Sequence, residues 1–109
     1  MKKIEKYAME IPKEIRHAIR ELGNDQRIAI LIALHRHDTL SFIQLVKTLE
    51  IDKGILSYHL RKLIKSALVL HDYKYEFGNM KYSFYGITPL GQNIVEFLCQ
   101  AQQSTPDTS

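Results

Sequence analysis

Residues 41–70 constrain this chain more than any other stretch, because they spell two short helices joined by a tight turn and followed directly by a strand. Ser41 and Gln44 stand at the S-x-x-Q spacing of a capping box, in which each side chain satisfies a backbone N–H orphaned at a helix start. A helix therefore begins at Ser41. Phe42, Leu45, Val46 and Leu49 recur at helical spacing, and the run ends near Glu50, before Ile51 and a second N-cap residue, Asp52. The next helix, from Lys53, gathers Leu56, Leu60, Leu63 and Ile64 into an apolar stripe and turns Lys53, Ser57, Tyr58, Arg61, Lys62 and Lys65 largely elsewhere. One face suits a core and the other a polyanion.

Charge placement sharpens that reading. The chain as a whole is only mildly basic, with 15 Lys and Arg against 12 Asp and Glu, a balance common among soluble domains. Residues 51–66, however, hold Lys53, Arg61, Lys62 and Lys65 against Asp52 alone, whereas residues 88–109 hold Glu96 and Asp107 with no Lys or Arg. Basic charge concentrated on one helix is what phosphate contacts require.

A chain of 109 residues makes one domain that buries roughly two-thirds of its unfolded surface, so a second copy would help it complete a core. We place the domain at residues 1–101 and read 102–109, rich in Ser, Thr, Pro and Asp without periodicity, as a disordered tail. No apolar run reaches the roughly 18 residues of a membrane span. The opening Met1-Lys2-Lys3-Ile4-Glu5 lacks the apolar stretch of a signal peptide, and Cys99 is the single cysteine, so a cytoplasmic, reducing location is expected.

Before the central stretch, Ile4, Tyr7, Ala8 and Ile11 form an apolar stripe that Pro12 interrupts. Ile15, Ala18, Ile19 and Leu22 resume it, with Pro12 in the first turn of a helix that Gly23 caps at its C-terminus. Asn24 or Asp25 caps the next helix, Asp25–Arg36, whose run from Ile28 to Leu34 is apolar nearly all round and so reads as the central buried element. Leu40 reads as a one-residue strand bridge. After the basic helix, Leu68–Glu76 and Met80–Ile87 alternate as strands around Phe77-Gly78-Asn79, a hairpin turn. Tyr73, Tyr75, Tyr82 and Tyr85 are expected to pack that small sheet against helices. Thr88-Pro89 opens a last helix carrying Leu90, Ile94, Val95, Phe97 and Leu98.

Helix, helix, helix-turn-helix, hairpin, helix is the order of a winged helix-turn-helix: mainly α with a small β-hairpin. Here the sequence resembles the ArsR-like winged-helix transcription regulators. Leu22-Gly23-Asn24-Asp25-Gln26-Arg27-Ile28-Ala29-Ile30-Leu31 is similar to the family pattern L-S-D-P-T-R-L-R-I-L. Gly54-Ile55-Leu56-Ser57-Tyr58-His59-Leu60-Arg61-Lys62-Leu63 is similar to S-T-V-S-R-H-L-K-x-L. The resemblance spans residues 22–98 and implies a homodimer that sets its recognition helices in successive major grooves of double-stranded DNA. It further implies base reading by Lys53, Gly54, Ser57 and Tyr58 and wing contacts near Lys74, Asn79 and Lys81.

Arg61, Lys62 and Lys65 are the expected phosphate partners. Excess apolar surface at Ile11, Ile15, Ile19 and Leu22 and at Leu90, Ile94, Phe97 and Leu98 is assigned to dimerisation. The resemblance excludes metal sensing through its usual sites, since residues 42–50 lack the cysteine pair and residues 89–102 offer only Glu96 and Cys99. His35 and His37 do not share a helix face and the sequence places no further ligand, so with Asp38 they are not expected to hold a metal. Cys99 is read as a core thiol and His59 as a structural, hydrogen-bonded histidine. Ala67 stands where the family has a glycine, so that junction either bears a positive φ or closes differently. No phosphate-binding glycine loop, nucleophile elbow or acid–base pair is present, so we read the chain as no enzyme and assign it no cofactor. A repressor is the expected role. A protein-interaction module or a chromatin-like binder are the alternatives, and the sequence names no effector.

Overall fold

The computed structural model describes the backbone of residues 2–76 and 80–104, and side chains within residues 3–73 and 82–101. The described elements, in order, are α1 (Lys2–Ala8), α2 (Lys13–Glu21), α3 (Asp25–His37), β1 (Thr39–Ser41), α4 (Phe42–Leu49), α5 (Lys53–Lys65), β2 (Val69–Glu76), β3 (Met80–Ile87) and α6 (Pro89–Ser104). The strands form one antiparallel sheet in the order β1-β3-β2, with Tyr85 opposite both Leu40 and His71.

Most element starts are set by local chemistry. Asn24 Oδ1 accepts from the N–H groups of Gln26 and Arg27 at 2.9 and 3.2 Å, and Asp52 Oδ2 accepts from Gly54 and Ile55 at 2.9 and 3.1 Å. At Ser41 the box is reciprocal. Gln44 N–H donates to the Ser41 hydroxyl, and Ser41 N–H donates to Gln44 Oε1 at 2.8 Å. Thr88 Oγ1 caps α6 through Gly91 N–H while its hydroxyl donates to the Ala67 carbonyl at 2.6 Å, tying the last helix to the end of α5.

Ile30, Leu31 and Leu34 from α3, Leu45 from α4, Leu56, Leu60 and Leu63 from α5, and Leu68, Val69 and Val95 are essentially inaccessible and form one core. Each such aliphatic side chain contributes roughly 1.5–3 kcal/mol on burial. The apolar stripe of α5 read from the sequence is therefore the seam joining the helix-turn-helix to α3.

Several expectations shift. Ile28 and Ala29 are exposed, so α3 is buried along one side only; the other side continues the apolar surface of α2 and α6. Leu40 is the middle of a three-residue strand rather than an isolated bridge, because its neighbours also pair with β3. Pro12 is the N-cap of α2 rather than its first residue, and Leu22 rather than Gly23 is the C-cap. β2 begins at Val69, one residue later than read, and the helical backbone of α6 runs to Ser104, past the boundary drawn at 102. Cys99 is exposed, not a core thiol. Tyr73 and Tyr82 are exposed, and of the described tyrosines of the hairpin only Tyr85 packs on the core. The turn at 77–79 and the tail at 105–109 lie outside the described residues.

Ala67 does take φ 62°, the left-handed conformation that a glycine would adopt freely. It turns the chain sharply from α5 into β2. A different glycine was invisible in the sequence: a Cβ on Gly91 would lie 2.5 Å from the Leu68 carbonyl oxygen and 2.8 Å from Ile87 Cγ1. Only a residue without a side chain lets α6 approach the sheet this closely.

Candidate nucleic-acid interface

α4, the turn at residues 50–52 and α5 make the helix-turn-helix, the turn closed by Glu50 in the left-handed region at φ 51°, ψ 44°. Burial of Leu56, Leu60 and Leu63 fixes which side of α5 is left outward. Lys53, Gly54, Tyr58, Arg61 and Lys65 are exposed, and Ser57 and Lys62 half-buried at its edge. The four residues matched to base reading and the three matched to phosphate contact thus share one helix and one accessible side.

Among the described residues both ion pairs involve Glu21, with His17 and Arg27, so no cation of α5 is neutralised by a carboxylate. That leaves Lys53, Arg61, Lys62 and Lys65 free to meet an external anion. A Cβ on Gly54 would stand 3.2 Å from Asp52 Oδ2, the oxygen that caps the helix, so glycine keeps the cap undisturbed. Of the wing residues, Lys74 pairs with Tyr82 and Lys81 with Tyr75, on adjacent rungs of the hairpin. Their side chains, and Asn79 entirely, lie outside the described residues. On the hairpin face His71 stacks on Tyr85 at 4.6 Å, and burial, then the neighbouring Tyr73, pushes the Tyr85 hydroxyl above its ordinary pKa.

Behind the outward side lies a polar cluster. His59, 4% exposed, accepts at Nδ1 from Arg27 Nε–H at 3.0 Å and faces Gln26 Oε1 with Nε2 at 2.7 Å. Arg27 Nη1 donates to Glu21 Oε2 at 2.6 Å and to the Glu21 carbonyl at 3.2 Å. Burial first, and then the Arg27 charge, holds the His59 pKa below its usual value and keeps the ring neutral. The sequence reading of His59 as a structural histidine fits this geometry. Glu21 and Gln26 carry no signal in the sequence, because nothing in their spacing shows that α2 and α3 converge beneath α5.

The residues assigned to dimerisation divide. Ile19, Leu22, Ile94 and Leu98 line one open apolar groove of about 280 Å³ together with Ile28 and Ile32. Ile11 and Phe97 are exposed at 45% and 68% outside that lining, whereas Ile15 is half-buried and Leu90 packs against the core. Among the described residues no three His, Cys, Asp or Glu side chains converge as a metal site, and no helix is long and apolar enough to cross a membrane.

Comparison with known proteins gives this arrangement a family. The model of a domain of unknown function, DUF7347, matches residues 15–98. The chain belongs to that family. No curated protein matches the sequence. Among solved structures, the DUF7347 chain is similar to a transcriptional regulator homologue from Pyrococcus horikoshii OT3, at 23% identity and TM-score 0.67 over 84% of this chain and 92% of that one. It is also similar to the reduced form of the transcriptional regulator YodB from B. subtilis, at 18% identity and TM-score 0.72 over 85% and 89%. Bacillus subtilis PadR in complex with operator DNA aligns at 17% identity and TM-score 0.61, over 79% of this chain and 52% of PadR. At these identities the likeness is one of fold. The DUF7347 chain has the winged helix-turn-helix fold of transcription regulators, mainly helical with a small antiparallel sheet.

Proposed function

We propose that this DUF7347 protein is a sequence-specific DNA-binding transcriptional regulator, a repressor of the ArsR-like kind without metal sensing, acting as a homodimer on an inverted-repeat operator. The observation that carries the reading is the outward side of α5. Four cations with no carboxylate partner among the described residues, the small polar Ser57 and the aromatic Tyr58 stand on the second helix of a helix-turn-helix, where such helices meet base edges in the major groove. Lys53, Gly54, Ser57 and Tyr58 read bases; Arg61, Lys62 and Lys65 hold phosphates; Lys74, Asn79 and Lys81 of the hairpin reach the flanking backbone. That PadR, of the same fold, was solved with operator DNA supports DNA as the partner.

Dimerisation through α2 and α6 is supported by the groove those helices leave open and by the chain's elongation. Its radius of gyration is 16.4 Å, against about 13 Å for a compact chain of this length. A dimer covers the apolar surface and sets two recognition helices one helical turn apart, or a multiple of that.

Selection from a randomised duplex library, repeated at low and near-physiological salt, tests the reading. Enrichment of a palindrome that survives the higher salt is the expected result. Binding without a motif would replace it with a chromatin-like role, and no binding at either salt with a protein-interaction module. One observation favours that last alternative: Ile43 and Ile55 are exposed at 47% and 43% on the helix-turn-helix.

A further inference from the structure

Arg27 lies on α3, outside the helix-turn-helix, yet its guanidinium organises the underside of α5. Nε is directed at His59, Nη1 at the carboxylate and carbonyl of Glu21, and the guanidinium carbon stands 5.8 Å from the centroid of the Tyr58 ring. The same ring has Lys62 Nζ at 5.6 Å and meets the His59 ring edge-on, at 5.4 Å and 66°. Tyr58 is therefore flanked by two cations and a histidine.

The bond to His59 requires a particular tautomer. Gln26 Oε1 can only accept, so Nε2 carries the proton, and Nδ1 is left as the acceptor that Arg27 Nε–H needs. Apolar packing of Leu56, Leu60 and Leu63 is non-directional and tolerates small rotations of α5 about its axis. A guanidinium held in place by Glu21 and bonded to one ring nitrogen does not, because such bonds weaken steeply off their line.

We infer that Arg27 is a positioning residue for DNA reading, fixing the rotation of α5 through His59 Nδ1 and the direction of the Tyr58 ring, and so setting sequence preference without touching DNA. The inference rests on the DNA-reading role proposed above. It assigns to α3 a part in specificity that the recognition helix alone would otherwise hold.

Three variants separate positioning from mere folding. Arg27→Lys keeps the charge and removes the Nε donor. His59→Asn places an acceptor near the former Nδ1, and His59→Gln keeps a donor near the former Nε2 but loses that acceptor. Each is measured for affinity to the duplex the wild type selects and to a scrambled duplex of equal length. Arg27→Lys and His59→Gln should each lose about tenfold in the ratio of the two affinities, the lower part of what one good base contact confers. His59→Asn should retain the ratio, and all three should bind scrambled duplex with the wild-type salt slope, since no phosphate contact has changed.

An unchanged ratio in both Arg27→Lys and His59→Gln overturns the inference, as does an equal loss in His59→Asn. Hydrogen exchange without DNA provides a second readout. Arg27→Lys should speed exchange at the amides of residues 54–60 while leaving residues 30–34 of α3 protected, and unchanged exchange in α5 overturns the inference. If the wild type selects no duplex, the DNA-reading role fails and the exchange experiment still decides whether Arg27 holds α5.

Discussion

The helix-turn-helix and the surface between α2 and α6 are both built from amphipathic helices, yet one is finished and the other is not. In the helix-turn-helix each helix is capped at its start, the leucines of α5 are covered, and the buried His59 has a partner at both ring nitrogens. Across the molecule, Ile19 is 54% and Leu98 48% exposed around an open groove. α3 contributes to both, giving Arg27 to one side and Ile28 and Ile32 to the other. The contrast separates a region whose apolar surface is covered within the chain from a region whose apolar surface the chain leaves open.

The largest break in the comparison should come from within the finished region. Leu56→Ala, at a fully buried position, should cost about 2–5 kcal/mol, read as a fall in the urea midpoint at constant m-value. Gly91→Ala tests the joint between the regions. Its Cβ would fall on the Leu68 carbonyl, so a loss of about 1–3 kcal/mol is expected, with α6 displaced from the sheet.

Ile19→Asp should behave in the opposite sense. Its side chain is more than half exposed, so the stability of the isolated chain should change by less than about 0.5 kcal/mol, while sedimentation at micromolar concentration should shift from dimer to monomer. A dimer that survives Ile19→Asp and Leu98→Asp together would locate the interface elsewhere.

The polar cluster should show itself in the pH dependence of stability. His59 is surrounded by Arg27, Gln26, Tyr58 and, through Arg27, Glu21, and its pKa in the fold is lowered from 6.5. Below pH 6.5 the unfolded chain takes up a proton that the folded chain refuses. The stabilisation from the neutral ring is therefore complete above that value and declines as pH falls toward the lowered pKa. Thermal unfolding from pH 7.5 down to 5 should fall more steeply for the wild type than for His59→Asn, which has no proton to take up. The smallest effect belongs to Ala67→Gly. Relief of the left-handed alanine should raise stability by about 0.5 kcal/mol after the entropic cost of glycine, visible as a small rise in Tm.

What the sequence disclosed follows the same division. Ser41, Asp52, Asn24 and Thr88 announced their helices because capping is decided within three or four residues. The stripe of Leu56, Leu60 and Leu63 announced which side of α5 turns inward. Contacts between distant segments were silent. Nothing local to Gly91 tells of the Leu68 carbonyl, and nothing local to Glu21 tells of Arg27 with His59 beyond it. The run from Ile28 to Leu34 misled because apolar composition records the wish to be covered without recording by what. Ile28 is apolar and exposed for the same reason that Leu98 is. Cys99 misled likewise, lying among apolar neighbours on a helix whose outer side the chain leaves bare.

Ser41 ends β1 opposite Phe84 of the hairpin and, with its hydroxyl, starts α4. One residue is thus the last rung of a ladder and the first cap of a helix, with no slack between. The hairpin and the helix-turn-helix are welded at that point, like two prongs of a caliper with a fixed jaw. In the DNA-reading role proposed above, the helix-turn-helix and the hairpin would meet a duplex at one spacing set by Ser41.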